Sequence, residues 1–106
     1  MKKKKILNDI KNLMFALLPG KVHKIILYGS QISGKITGNS DFDILIILDS
    51  DTDWKLENKI LENFYKNIDL KYDILTDVRI INISLLDTPF GQQPFIQDAL
   101  KYGYIA

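Results

Sequence analysis

Asp41 and Asp43 stand two apart in Ser40-Asp41-Phe42-Asp43-Ile44-Leu45-Ile46, at the head of a run of β-forming residues. Successive side chains of a strand alternate between faces, so the two carboxylates project one way and Phe42 and Ile44 the other. Like charges held that close oppose each other's ionisation unless a cation sits between them. A hard divalent cation resolves the conflict, because magnesium takes oxygen ligands, commonly one or two carboxylates with substrate phosphates and water. Upstream, Gly29 and Ser30 follow the apolar run Lys24-Ile25-Ile26-Leu27-Tyr28, where a strand gives way to a turn. Backbone N–H groups of such a turn can face an anion, the Ser30 hydroxyl adds a donor, and Gly29 has no side chain to keep a phosphate from the backbone. Taken singly, a Gly-Ser is usually an ordinary turn and an Asp-x-Asp a solvated strand edge. Side by side they make a phosphate cradle one strand from a metal site, the equipment of phosphoryl transfer, where catalysis is mostly positioning and charge stabilisation.

The elements that must position these groups are legible from periodicity. Ile6, Ile10, Leu13, Met14, Leu17 and Leu18 recur at steps of three and four, which predicts an amphipathic helix stopped by Pro19-Gly20. Residues 24–28 and 42–48 read as buried strands, and the glycine-bearing stretch from Gly29 to Ser40 between them as a loop with one helical turn at most. Leu56, Ile60, Leu61, Phe64 and Ile68 predict a second helix over about 54–70. Residues 76–83 predict a third strand and 84–93 an irregular segment. Pro94 opens a short closing helix that Gly103 ends in a left-handed cap. The order helix, strand, loop, strand, helix, strand, helix implies an α/β or α+β fold, with a small mixed sheet flanked by helices.

Composition removes several alternatives. The 106 residues fit one domain, read here as 1–106, and at 46% apolar and 25% charged residues the chain should bury a core rather than remain disordered. So small a domain leaves much surface exposed, which favours a homo-oligomer or a partner chain. Absence of cysteine excludes disulfides, thiolate zinc sites and thiol nucleophiles and points to the cytoplasm. No stretch reads as a secretion signal or a bilayer-spanning segment. Net charge is +1, so a general basic field for nucleic acid is missing, and the cluster Lys2 to Lys5 reads as a solvated first helical turn.

Gly-Ser, ten residues, then Asp-x-Asp, set between two apolar strands as Gly29-Ser30 and Asp41-Phe42-Asp43, resembles the signature of the nucleotidyltransferase superfamily that includes DNA polymerase beta, in particular its minimal nucleotidyltransferase branch. The likeness runs from Lys24 to about Ile83, and the ending from Pro94 to Gly103 is similar to the tail of small members. It implies a magnesium-dependent enzyme that transfers a nucleoside monophosphate, AMP from ATP, to an acceptor hydroxyl. By that resemblance Gly29 and Ser30, with Ser40, hold the nucleotide, and Asp41 and Asp43 bind two magnesium ions. A third carboxylate on a later strand shares one metal and helps activate the acceptor. Asp77 is assigned that role over Asp73, because the longer uninterrupted strand-like run follows Asp77 and Asp73 fits the exit of the preceding helix.

Many members carry an arginine where Ser33 stands, and Lys35 replaces its charge only in part, being a point charge without the bidentate fork. The resemblance also implies a helical HEPN-type partner toward which the protein acts as an antitoxin, adenylylating a tyrosine. With no long C-terminal substrate domain, acceptor contacts are expected from another chain. The competing expectation is a binding module that neutralises its partner by occlusion, with a vestigial nucleotide site. Other candidates reduce to structure. His23 has no second histidine or cysteine to complete a metal site. Asp49, Asp51 and Asp53 lack the glycine and distal glutamate of a calcium loop and are expected to cap the next helix. Trp54, Phe64, Tyr65 and Tyr72 are read as core or interface.

Overall fold

A computed structural model describes residues 2–28, 42–49, 52–102 and 104–105. Its elements are α1 (Lys2–Leu17), β1 (Val22–Tyr28), β2 (Phe42–Leu48), α2 (Trp54–Phe64), a π-helical segment (Tyr65–Asp69), α3 (Leu70–Tyr72), β3 (Thr76–Asn82), two 3-10 turns (Ile83–Asp87 and Pro89–Gln92), α4 (Pro94–Tyr102) and β4 (Tyr104–Ile105). The strands form one mixed sheet in the order β3-β2-β1-β4. β2 runs antiparallel to β1 and parallel to β3, and β4 adds antiparallel to the outer side of β1. This is the expected α+β architecture.

β2 is apolar almost throughout because both of its faces are covered. Phe42, Ile44, Ile46 and Leu48 pack with Ile25 and Leu27 of β1 under α1 and α2, against Ile6, Ile10, Met14, Ile60 and Phe64. Leu45 and Ile47 face the other way, with Ile26, Ile81 and the α4 residues Ile96 and Ala99. A strand sandwiched on two sides loses the polar alternation of a half-exposed one. Trimming a fully buried residue such as Ile46 to Ala would cost about 2–5 kcal/mol.

α1 begins four residues before its apolar pattern, so the lysines lie in its first turn, with Lys4 and Lys5 exposed and opposed to the positive end of the helix dipole. Asp53 caps α2, its Oδ1 accepting from the Leu56 N–H at 2.8 Å. Asp49, expected to share that task, instead lies 3.4 Å from His23 Nδ1, because the strand end brings it back to β1. Asp51 is outside the described residues. Trp54 is 68% exposed and so does not belong to the core, whereas Phe64 and Tyr72 do.

The second helix extends past its expected end to Tyr72 and is not α-helical throughout. Ile60, Phe64, Ile68 and Tyr72 are all buried at steps of four. In an α-helix of 3.6 residues per turn, steps of four drift around the axis, and a π turn, with i→i+5 bonds, holds enough residues to take up that drift. The π segment 65–69 falls where the drift would carry Ile68 and Tyr72 off the core. Asp73 then ends the helix in the left-handed region, at φ 55°, a conformation that Asp tolerates better than most residues.

Two further differences lie near the C-terminus. The third strand, expected to reach residue 83, ends at Asn82, and most of the stretch 84–93, expected to be irregular, lies in the two 3-10 turns, where Asn82 accepts from the Ser84 N–H at 2.8 Å and Gly91 sits so close to the Leu86 backbone that a Cβ would overlap it. β4 is a fourth strand where three were expected. It pairs Ile105 with Ile26 and Tyr104 with Leu27, and two residues are too few to show a period. Gly103 is outside the described residues.

One polar cluster ties α1 to α3. Lys71 Nζ lies 2.9 Å from Asp9 Oδ2, and the Tyr72 hydroxyl donates to the same oxygen. The hydrogen bond from Tyr72, then that from Lys71, holds the Asp9 carboxyl below its ordinary 3.8. The same bond raises Tyr72 above 10.0, and Asp9 raises Lys71 above 10.5. The Asp9 contribution to stability is therefore present above pH 3.8 and lost as pH falls through its lowered value. The Tyr72 contribution is present below pH 10.0 and lost as pH rises through its raised value. Urea unfolding across pH should show the largest gap between wild type and Asp9→Asn near neutrality, narrowing at both extremes. A gap constant with pH would remove the cluster from the stability of the fold.

Candidate functional site

The ends of three strands meet at one end of the sheet. β1 finishes there, and β2 and β3 both begin there, because β2 is antiparallel to the first and parallel to the second. The register makes Tyr28, Asp43 and Asp77 one row across three strands. The next row inward along β2 pairs Ile44 with Val78 and the one outward pairs Phe42 with Thr76.

Residues paired across a sheet project to the same face, and neighbouring strands are about 4.8 Å apart. Asp43 and Asp77 therefore present two carboxylates side by side. Their face is that of Leu45, Ile47 and Ile81, which α4 covers further along the strands. At this end the cover stops, leaving Asp43 half-buried and Asp77 exposed. Asp43 and Asp77 are oxygen donors, the kind that a hard cation takes.

The sequence reading named more residues than these two. Gly29, Ser30, Ser33, Lys35, Ser40 and Asp41 lie outside the described residues, so the phosphate cradle and the first carboxylate are not part of the described geometry. Among the described residues no group of three His, Cys, Asp or Glu side chains could hold a metal ion. Asp43 and Asp77 supply two carboxylates of the expected three. Asp73 is not brought to them in register, since it ends the helix four residues before Asp77. His23 belongs to the far end of β1, beside the pair Val22 and Leu48.

Two residues next to this row escaped the sequence reading. The Thr76 hydroxyl donates to Asp69 Oδ1 at 2.6 Å, from the strand residue before Asp77 to the last residue of the π segment. Their separation of seven residues resembles no motif, and Asp69 falls at the predicted end of a helix, where a polar residue excites no notice.

Comparison with known proteins places this geometry. A protein of Methanocaldococcus jannaschii named as a candidate protein adenylyltransferase is 37% identical over 57 residues, covering 54% of this chain and 57% of its own length. The chain thus spans little more than half of that relative. A crystal structure of a toxin–antitoxin with AMP-PNP superposes with a TM-score of 0.62 at 21% identity, over 92% of this chain and 69% of the other. A mutant of the toxin–antitoxin MntA–HpeT with two aspartate-to-glutamate substitutions two positions apart gives 0.61 at 19% identity, over the same shares. At such identities the likeness is one of fold. The family model for the polymerase beta nucleotidyltransferases matches residues 4–101, nearly the whole sequence and every element that builds the carboxylate row, and the chain belongs to that family.

Proposed function

We propose that this protein is a nucleotidyltransferase of the minimal type, with residues 1–106 as its single domain, that transfers AMP from ATP to a hydroxyl of a partner protein. The observation that carries this reading is the row in which Asp43 and Asp77 stand side by side at the open end of the sheet. Family membership supplies the reaction class. The protein acceptor and the nucleotide are supported by the named adenylyltransferase relative and by the toxin–antitoxin structures, one of them with AMP-PNP. The partner we propose is a HEPN-type toxin, met in the cytoplasm, in keeping with a chain that has no cysteine.

Magnesium fits the residues present, since an all-oxygen donor set of adjacent carboxylates is what this cation takes and what like charges at one strand spacing call for. When bound, two magnesium ions would supply charge neutralisation at the triphosphate and at the departing pyrophosphate. Asp41 and Asp43 would hold the nucleotide's metal. Gly29 and Ser30 would bind phosphate oxygens through N–H groups and the serine hydroxyl, and Ser40 would contribute to the same nucleotide site. Asp77 accepts the proton of the acceptor hydroxyl while its oxygen attacks the α-phosphorus in line and pyrophosphate leaves. The new phosphorus–oxygen bond joins AMP to the partner, and the bond to the pyrophosphate oxygen breaks.

ATP should bind in magnesium and far more weakly in EDTA, with Asp41→Asn and Asp43→Asn each removing most of the difference. Calorimetry with equal affinities in the two buffers would count against the metal site. Chemistry can be separated from binding at the third carboxylate. Asp77→Asn should reduce transfer of labelled AMP to the partner by about a hundredfold or more, as for loss of a general base, while ATP binding persists. Asp73→Asn should stay close to wild type. Loss of transfer in Asp73→Asn but not in Asp77→Asn would move the base to Asp73.

A further inference from the structure

We propose that Thr76 and Asp69 are positioning residues for Asp77, a pin from the crossover helix that fixes where the third carboxylate stands before any substrate arrives. The proposal rests on the reading of Asp77 as a site residue and extends it to two residues on the opposite side of the sheet. Asp69 grips the turn twice. Its main-chain carbonyl accepts from the Ile74 N–H at 3.1 Å, and its Oδ1 accepts from the Thr76 hydroxyl at 2.6 Å. The second distance is that of a charge-assisted hydrogen bond between a hydroxyl and a carboxylate. Between Asp69 and these two partners lies the turn through Asp73, whose backbone is left-handed. One more bond, from the Phe42 N–H to the Leu75 carbonyl at 2.8 Å, joins the end of the turn to the head of β2.

Asp77 needs such help because of its place. It is the second residue of β3, exposed, at the end of a strand that has β2 on one side and, among the described residues, no strand on the other. Strand ends fray, and a carboxylate there is the part of a site most free to wander. Alternation sends Thr76 and Asp77 to opposite faces. A bond on Thr76 therefore restrains the backbone beside Asp77 from the helix side and leaves the Asp77 carboxylate on the face it shares with Asp43. Groups that must act together are held to about half an ångström by such supporting bonds, and a displacement of about 1 Å can cost a hundredfold in rate.

The test uses the full chain with excess Mg²⁺, a non-hydrolysable ATP analogue and a trace of exchanging Mn²⁺, reading the graded paramagnetic broadening of the Asp43 and Asp77 side-chain carboxylate carbons by NMR. In wild type both signals should broaden. Thr76→Val, of nearly the same shape but without the hydroxyl, should leave broadening at Asp43 intact and lower it selectively at Asp77, because paramagnetic broadening falls with the sixth power of the distance from the metal. Thr76→Ser should restore it. Approached from the acceptor, Asp69→Leu should repeat the selective loss and Asp69→Asn, whose amide oxygen still accepts, should not, so the proposal stays testable if one variant fails to fold. Undiminished broadening at Asp77 in Thr76→Val and Asp69→Leu would overturn the pin. So would an equal loss at both carboxylates with a lowered urea midpoint, the mark of a bond that only supports the fold. Broadening at Asp43 but never at Asp77 in wild type would overturn the site reading itself, a failure seen before any variant is made.

Discussion

Burial of β2 on both faces is the constraint from which the rest of the structure follows. Phe42 to Leu48 cannot be left against water on either side, so one layer of helices is required above the sheet and another below. α1 and α2 supply the larger cover and α4, with the 3-10 turns before it, the smaller. The smaller cover runs short. Where it stops, the strand carries Asp43 instead of another aliphatic residue, half-buried beside the exposed Asp77. A reactive group on a central strand inherits that strand's precision, which loops seldom provide.

Parallel pairing of β2 with β3 demands a long crossover, and the helical run from Trp54 to Tyr72 provides it. Its apolar residues come at steps of four, and the π segment keeps them on the core to the last turn. Where this run ends decides where β3 begins. The pattern of β3 then selects the register, with Val78 and Ile80 toward α1 and α2 and Ile81 toward α4. A slip by one residue would turn Asp77 to the helix side and expose the aliphatic residues it now alternates with. The register that packs the core is thus the one that sets Asp77 beside Asp43, and fold stability and site geometry draw on the same pairing.

Much of this molecule was written locally. The helical spacing of Ile6, Ile10 and Met14, the apolar runs of β1 and β2, the cap at Asp53 and the start of α4 at Pro94 each depend on a few neighbouring residues, so sequence determined them. Asp43 and Asp77 were likewise identifiable as chemistry-bearing residues at strand heads. The extra strand β4, the π segment, the pairing of His23 with Asp49 and the cluster of Asp9 with Lys71 and Tyr72 were not legible, because each is fixed by residues distant in the chain or by the demands of packing. Sequence determined which residues could hold a phosphate or a cation, since that is a matter of side-chain chemistry and spacing along one strand. Only the tertiary structure decided that Asp77 and not Asp73 shares a row with Asp43, because a parallel register is set across 34 residues by the length of the crossover and the burial of β3, and no local pattern carries that information.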